Sequence, residues 1–144
     1  MKKTILDDPF LILHKYFITA NLMKTQFNAE PKLKAPFNTA SMAYMTVWYG
    51  CLFVVIEGWF SLQFKDKKID ELLQSENTKL LKGVRHDTFH FQKNYYPQRL
   101  LNFLEDKSSA IWVKELNKEF GRYFLNELKL RKDIADKKRT KVIS

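Results

Sequence analysis

SMAYMTVWYGCLFVVIEGWF, Ser41 to Phe60, is the stretch whose reading decides the fold. Its first charge is Glu57, and everything from Ser41 to Ile56 is neutral. A membrane-spanning helix needs about 20 mostly apolar residues. This run falls short of that, and polar side chains recur along it at Ser41, Thr46 and Tyr49. The expected structure is a helix buried on nearly all sides of a helical bundle. Only four glycines and four prolines occur in 144 residues, which also favours long helices.

Upstream, Asp7-Asp8-Pro9 reads as a helix start, with an acidic cap and proline in the first turn. Phe10, Leu13, Phe17 and Ala20 then recur at helical spacing, predicting a first helix to about Phe27. AEPKLKAPFN, with two prolines, is the connection, and Asn38 or Thr39 caps the apolar helix, which ends near Gln63. Downstream, FKDKKID is a charged linker and IDELLQ a short third helix. A fourth helix is expected from Glu76 or Asn77 to about Tyr95, stopped by Pro97. A short segment bearing Leu100, Leu101 and Leu104 follows. The last helix, capped by Ser108 or Ser109, carries Trp112, Leu116, Phe120 and Phe124 every four residues. No repeat and no period-2 pattern interrupts this. The fold class is all-α, a bundle of four to five main helices in a single domain over 1–144, with a basic tail from about residue 129.

The formal charge is +9, from 25 Lys and Arg against 16 Asp and Glu. Such an excess favours a polyanionic partner, either nucleic acid or an acidic lipid surface. Seven of the basic residues lie between Lys129 and Lys141, against Asp133 and Asp136. They read equally as a solubilising helix end or an RNA-contacting tail. One cysteine, Cys51, excludes an intramolecular disulfide and fits a reducing compartment, where it serves as a small buried hydrophobe. The opening MKKT has the charge of a signal peptide, but Asp7, Asp8 and Pro9 break it, so a cytoplasmic protein with no membrane partner is expected.

The chemistry is concentrated in GVRHDTFHFQ, Gly83 to Gln92. On a wheel of about 100° per residue, Leu80, Leu81, Thr88 and Phe91 cluster around Val84 and form the core stripe. Arg85, Phe89, His86 and His90 share the opposite face. An aromatic residue flanked by Arg and His suits contact with a second chain, so a homodimer through the Arg85/Phe89/His90 face is expected. Glu57 either reaches water or Lys65 from its helix end, or faces the fourth helix and pairs with Arg85 or a histidine. His14 reads as an ordinary surface or boundary residue.

Arg85, followed by the polar His86 and closed by His90 at an R-x4-H spacing, resembles the motif of HEPN-domain proteins, which lies on a late helix of a small α-bundle. The all-α layout from about Asp8 to Glu127 is similar in outline, giving a HEPN-like helical bundle. The resemblance implies a metal-independent RNA endonuclease with no cofactor and a site built across a dimer, of the toxin or phage-defence kind, with an antitoxin protein as a further partner of that class. His90 would then be general base on a ribose 2′-OH or general acid to the leaving oxygen. Arg85 would hold the scissile phosphate, His86 or Asp87 would orient these groups, and Glu57 would set their state. Residues five apart on a helix point about 140° from each other, so Arg85 and His90 are expected to meet only across a dyad.

Lys82, Lys93, Arg99 and Tyr95 are the RNA-binding candidates. Tyr95, with Tyr96, would stack on bases, although contact with Pro97 is the plainer account. Two other readings compete with the nuclease. His86 and His90, at i and i+4, have the spacing of helical metal ligands, with Asp87 or Glu57 as candidates for a third, but neither a clear third nor a clear fourth ligand exists and no metal is expected. A non-catalytic HEPN-like module that binds a protein partner or nucleic acid is the other.

Overall fold

The computed structural model describes residues 4–31 and 39–143. These form a 3-10 turn at Ile5–Asp7 and six α-helices: α1 Pro9–Ala29, α2 Thr39–Ser61, α3 Lys67–Leu73, α4 Asn77–Phe89, α5 Gln98–Glu105 and α6 Lys107–Ile143. No strand occurs among the described residues, so the all-α expectation stands. The capping candidate Asn38 and most of the preceding connection lie outside the described residues.

Local chemistry explains the helix starts. Asp8 caps α1, its carboxylate accepting the Phe10 N–H at 2.9 Å with Pro9 at the first helical position. Asp66 caps α3 by accepting from Ile69 at 3.1 Å. The cap of α6 differs from the expected Ser108 or Ser109. Asp106 accepts both the backbone N–H and the hydroxyl of Ser108, at 2.9 and 2.7 Å, so the helix begins at Lys107, two or three residues earlier than those caps imply. An ionised carboxylate is the stronger acceptor for the free N–H groups of a first turn.

The apolar helix α2 lies against both α1 and α4, while α5 joins α4 to α6 and α3 rests on α6. From Met45 to Trp59 its buried residues, Gly50 included, cover about 220° of the wheel. That is less than the near-complete burial expected, because Val47, Cys51 and Val54 are only partly covered. By length and composition α2 is the one described helix able to cross a membrane. Cys51 does pack on the core as a half-buried thiol, and burial raises its pKa. Burial alone pushes the Tyr49 hydroxyl up to about 12.

The core is aromatic. Phe10, Phe17, Phe120 and Phe124 interlock between α1 and α6, and Trp59 meets Phe120 edge-on at 5.6 Å. All three indole N–H groups are satisfied: Trp48 by Asn117, Trp59 by Asp70 and Trp112 by the Leu72 carbonyl. Asn117 is itself buried and donates onward to Asn21, tying α6 to α2 and α1.

Two helix ends depart from expectation. The fourth helix stops at Phe89, well short of Tyr95. The last helix does not give way to a tail near residue 129 but continues to Ile143, although Phe124 is its final buried residue. Arg131 clamps its middle, donating to Asp8 at 2.6 Å and lying 4.2 Å over the Phe10 ring.

Candidate functional site

Within α4 the core side is Leu81 and Val84, both fully buried. Leu80 and Phe91, expected beside them, are 49% and 94% exposed. Phe91 fails because it lies beyond the helix, where the 3.6-residue period no longer applies. Arg85 does not point to open water as the wheel suggested. It turns toward α2, donates from Nη1 to Glu57 Oε1 at 2.8 Å, and stands 5.9 Å from the Phe53 ring. Glu57 therefore faces the fourth helix and pairs with Arg85, its side chain still 41% exposed. Phe89 is 54% exposed, yet its ring also lies on α2, where a Cβ on Gly50 would come within 2.5 Å of it.

His90 is the residue at which α4 ends. Its backbone is extended, its N–H bonds to the His86 carbonyl at 3.1 Å, and its ring Nδ1 lies 2.8 Å from the same oxygen. A carbonyl only accepts, so Nδ1 carries the proton and Nε2 is left as the free ring nitrogen. Thr88 turns its hydroxyl back to the Val84 carbonyl at 2.7 Å, within the helix. The His86 and His90 rings stack at 4.2 Å and 17°, both residues exposed.

The histidine stack stands between two depressions. On one side a cleft of about 400 Å³ is lined by Thr39, Thr46, Asp87, His90 and Tyr95. Tyr95 is 75% exposed, shares a 3.2 Å hydrogen bond with the Thr39 hydroxyl, and meets Tyr96 edge-on. On the other side a groove of about 350 Å³ between α4 and α5 is lined by Lys79, Lys82, Gly83, His86, Arg99 and Asn102. Asp87 is nearly covered, with an 8% exposed side chain 4.0 Å from Arg99.

Of the sequence candidates, the structure brings together Glu57 with Arg85, His86 with His90, and Lys82 with Arg99. Arg85 and His90 share no hydrogen bond or ion pair among the described residues. Asp87 pairs with Arg99 and not with Arg85. Lys93 is exposed and lines neither depression. Among the described residues no three His, Cys, Asp or Glu side chains gather as a metal site. Sequence reasoning missed Lys79 and Gly83. The signal was present, since positions 79, 82, 83 and 86 form one helical stripe.

No protein-family model, curated protein or solved structure matches the chain.

Proposed function

We propose that the chain is a metal-independent RNA endonuclease of HEPN type, acting through a site completed by a second copy of itself. The observation that carries this reading is the placement of the His90 ring: Nδ1 lies on a backbone carbonyl, which leaves Nε2 as the nitrogen available for proton transfer, and its stacking partner His86 lines a basic groove. His90 Nε2 takes the proton of a ribose 2′-OH; the 2′-oxygen bonds to phosphorus and the bond to the 5′-oxygen breaks. The products are a 2′,3′-cyclic phosphate and a 5′-hydroxyl end, the latter receiving its proton from a histidine of the pair. Arg85, oriented by Glu57, offsets charge on the phosphoryl oxygens. Asp87 acts only indirectly, by holding Arg99. The reading places the protein in the cytoplasm, and a role in toxin or phage-defence systems follows from the family resemblance alone.

Dimerisation is part of the proposal because Arg85 leans on α2 while His90 sits past the end of α4. The half-exposed Phe89 between them is the apolar element such a contact needs. A second reading is favoured by one observation: Glu57 already neutralises Arg85, as suits a non-catalytic module that binds nucleic acid or a protein.

The test compares wild type, Arg85→Ala and His90→Ala on mixed RNA, with and without EDTA. Cleavage that resists EDTA and drops by about 10²–10⁴-fold in His90→Ala supports catalysis. Cleavage at the wild-type level by both variants, or none by wild type, removes it.

A further inference from the structure

We infer that the groove between α4 and α5 is a backbone-phosphate site for a single nucleic-acid strand, distinct from the His90 cleft. Lys79 and Lys82 stand one turn apart on α4, and Arg99 approaches from α5 across the groove. The described lining contains no carboxylate. Asp87 lies 4.0 Å from Arg99 and lines the other cleft. Asn102 adds an amide donor, and His86 closes the end that meets the histidine stack.

Gly83 forms the floor. A Cβ there would come within 3.0 Å of Arg99 Cδ, so the absent side chain is what lets the arginine lie across α4. A mid-helix glycine is disfavoured on propensity alone; here it makes room for a cation.

The arrangement suits a strand better than a free anion. The three cations are exposed and spaced along the groove instead of converging on one buried point, and the Arg99 side chain is 64% exposed. Phosphates of a chain meet such a series in turn, releasing counterions at each contact. A strand leaving the groove passes the histidine pair and enters the cleft that holds Tyr95, whose exposed ring offers a stacking surface.

The substrate class rests on the RNA reading, but the site itself does not require cleavage, so its test uses a fluorescent DNA oligonucleotide, which has no 2′-OH to be cut. Anisotropy titrations across salt concentrations compare wild type with Lys82→Gln/Arg99→Gln and with Lys137→Gln/Lys138→Gln on the exposed end of α6, melting curves confirming that each is folded. The groove variant is expected to bind about tenfold more weakly, its salt slope reduced by about 0.7 per lost phosphate contact, while the α6 variant loses less.

Replacing chloride by inorganic phosphate at equal ionic strength separates the sources of the anion: a strand site keeps its oligonucleotide. No binding by wild type, equal losses in both variants, or displacement by phosphate overturns the inference. Absence of RNA cleavage would remove the nuclease and leave this result standing. Cleavage together with an unaffected groove variant would do the reverse.

Discussion

At the scale of single residues, the ring of His90 closes α4 through Nδ1 and leaves Nε2 for chemistry. The motif spacing made both histidines visible in the sequence. The hydrogen bond that fixes the tautomer was not, because it depends on the helix ending at that residue. His14 illustrates the same limit. It reads as a boundary residue, and it is one, but its ring stacks on Phe10 and lies 5.3 Å from Phe124. Burial there holds its pKa below the ordinary 6.5. The unfolded chain therefore binds a proton before the native state does. The stabilising contribution is present above pH 6.5 and is lost as pH falls through the lower native value. Urea midpoints measured at decreasing pH should fall more for wild type than for His14→Leu within that window. Parallel curves for the two proteins would contradict this.

At the scale of elements, helix existence was legible from periodicity, and boundaries were legible only where a cap could be read. Asp8-Pro9 located the start of α1. Pro97 misled the reading of α4, because a proline marks where a helix can no longer continue and not where it stops; the helix ends earlier, at His90, whose backbone is extended and whose N–H and ring both close on the His86 carbonyl. The length of α6 was underread because its last turns bury nothing. Lys, Leu, Arg and Ala are good helix formers, and the Arg131 clamp to Asp8 anchors the middle of that exposed run. The α1–α2 contact depends on Gly58, where a Cβ would come within 2.4 Å of the buried Leu13 Cδ1. Gly58→Ala is expected to destabilise by about 1–2 kcal/mol, overpacking outweighing the gain in helix propensity. Calorimetry reads this as a lower melting temperature, and an unchanged or higher one would show that α1 and α2 accommodate the methyl.

For the whole molecule, composition foretold the all-α class, and the uncharged run of α2 foretold a core helix, although its burial is less complete than expected and its neighbours α1 and α4 could not be read from it. The polar ties across the bundle were invisible, because Asn21, Trp48 and Asn117 are far apart in sequence and none has a local signature. The α4–α5 groove was half visible: Lys82 and Arg99 stood out by charge, whereas pairing them required the two helices to be docked. Arg85 and His90 remain apart within one chain, which makes the dimer the centre of the functional account. Complementation tests it most directly. Arg85→Ala and His90→Ala proteins, each inactive alone, are mixed in equal amounts and allowed to exchange subunits before RNA cleavage is measured. If one copy supplies Arg85 and the other His90, half the dimers are mixed and each carries one intact site, restoring about a quarter of wild-type activity. No recovery after verified subunit exchange, or a wild-type protein that stays monomeric while cutting RNA, would contradict the composite site.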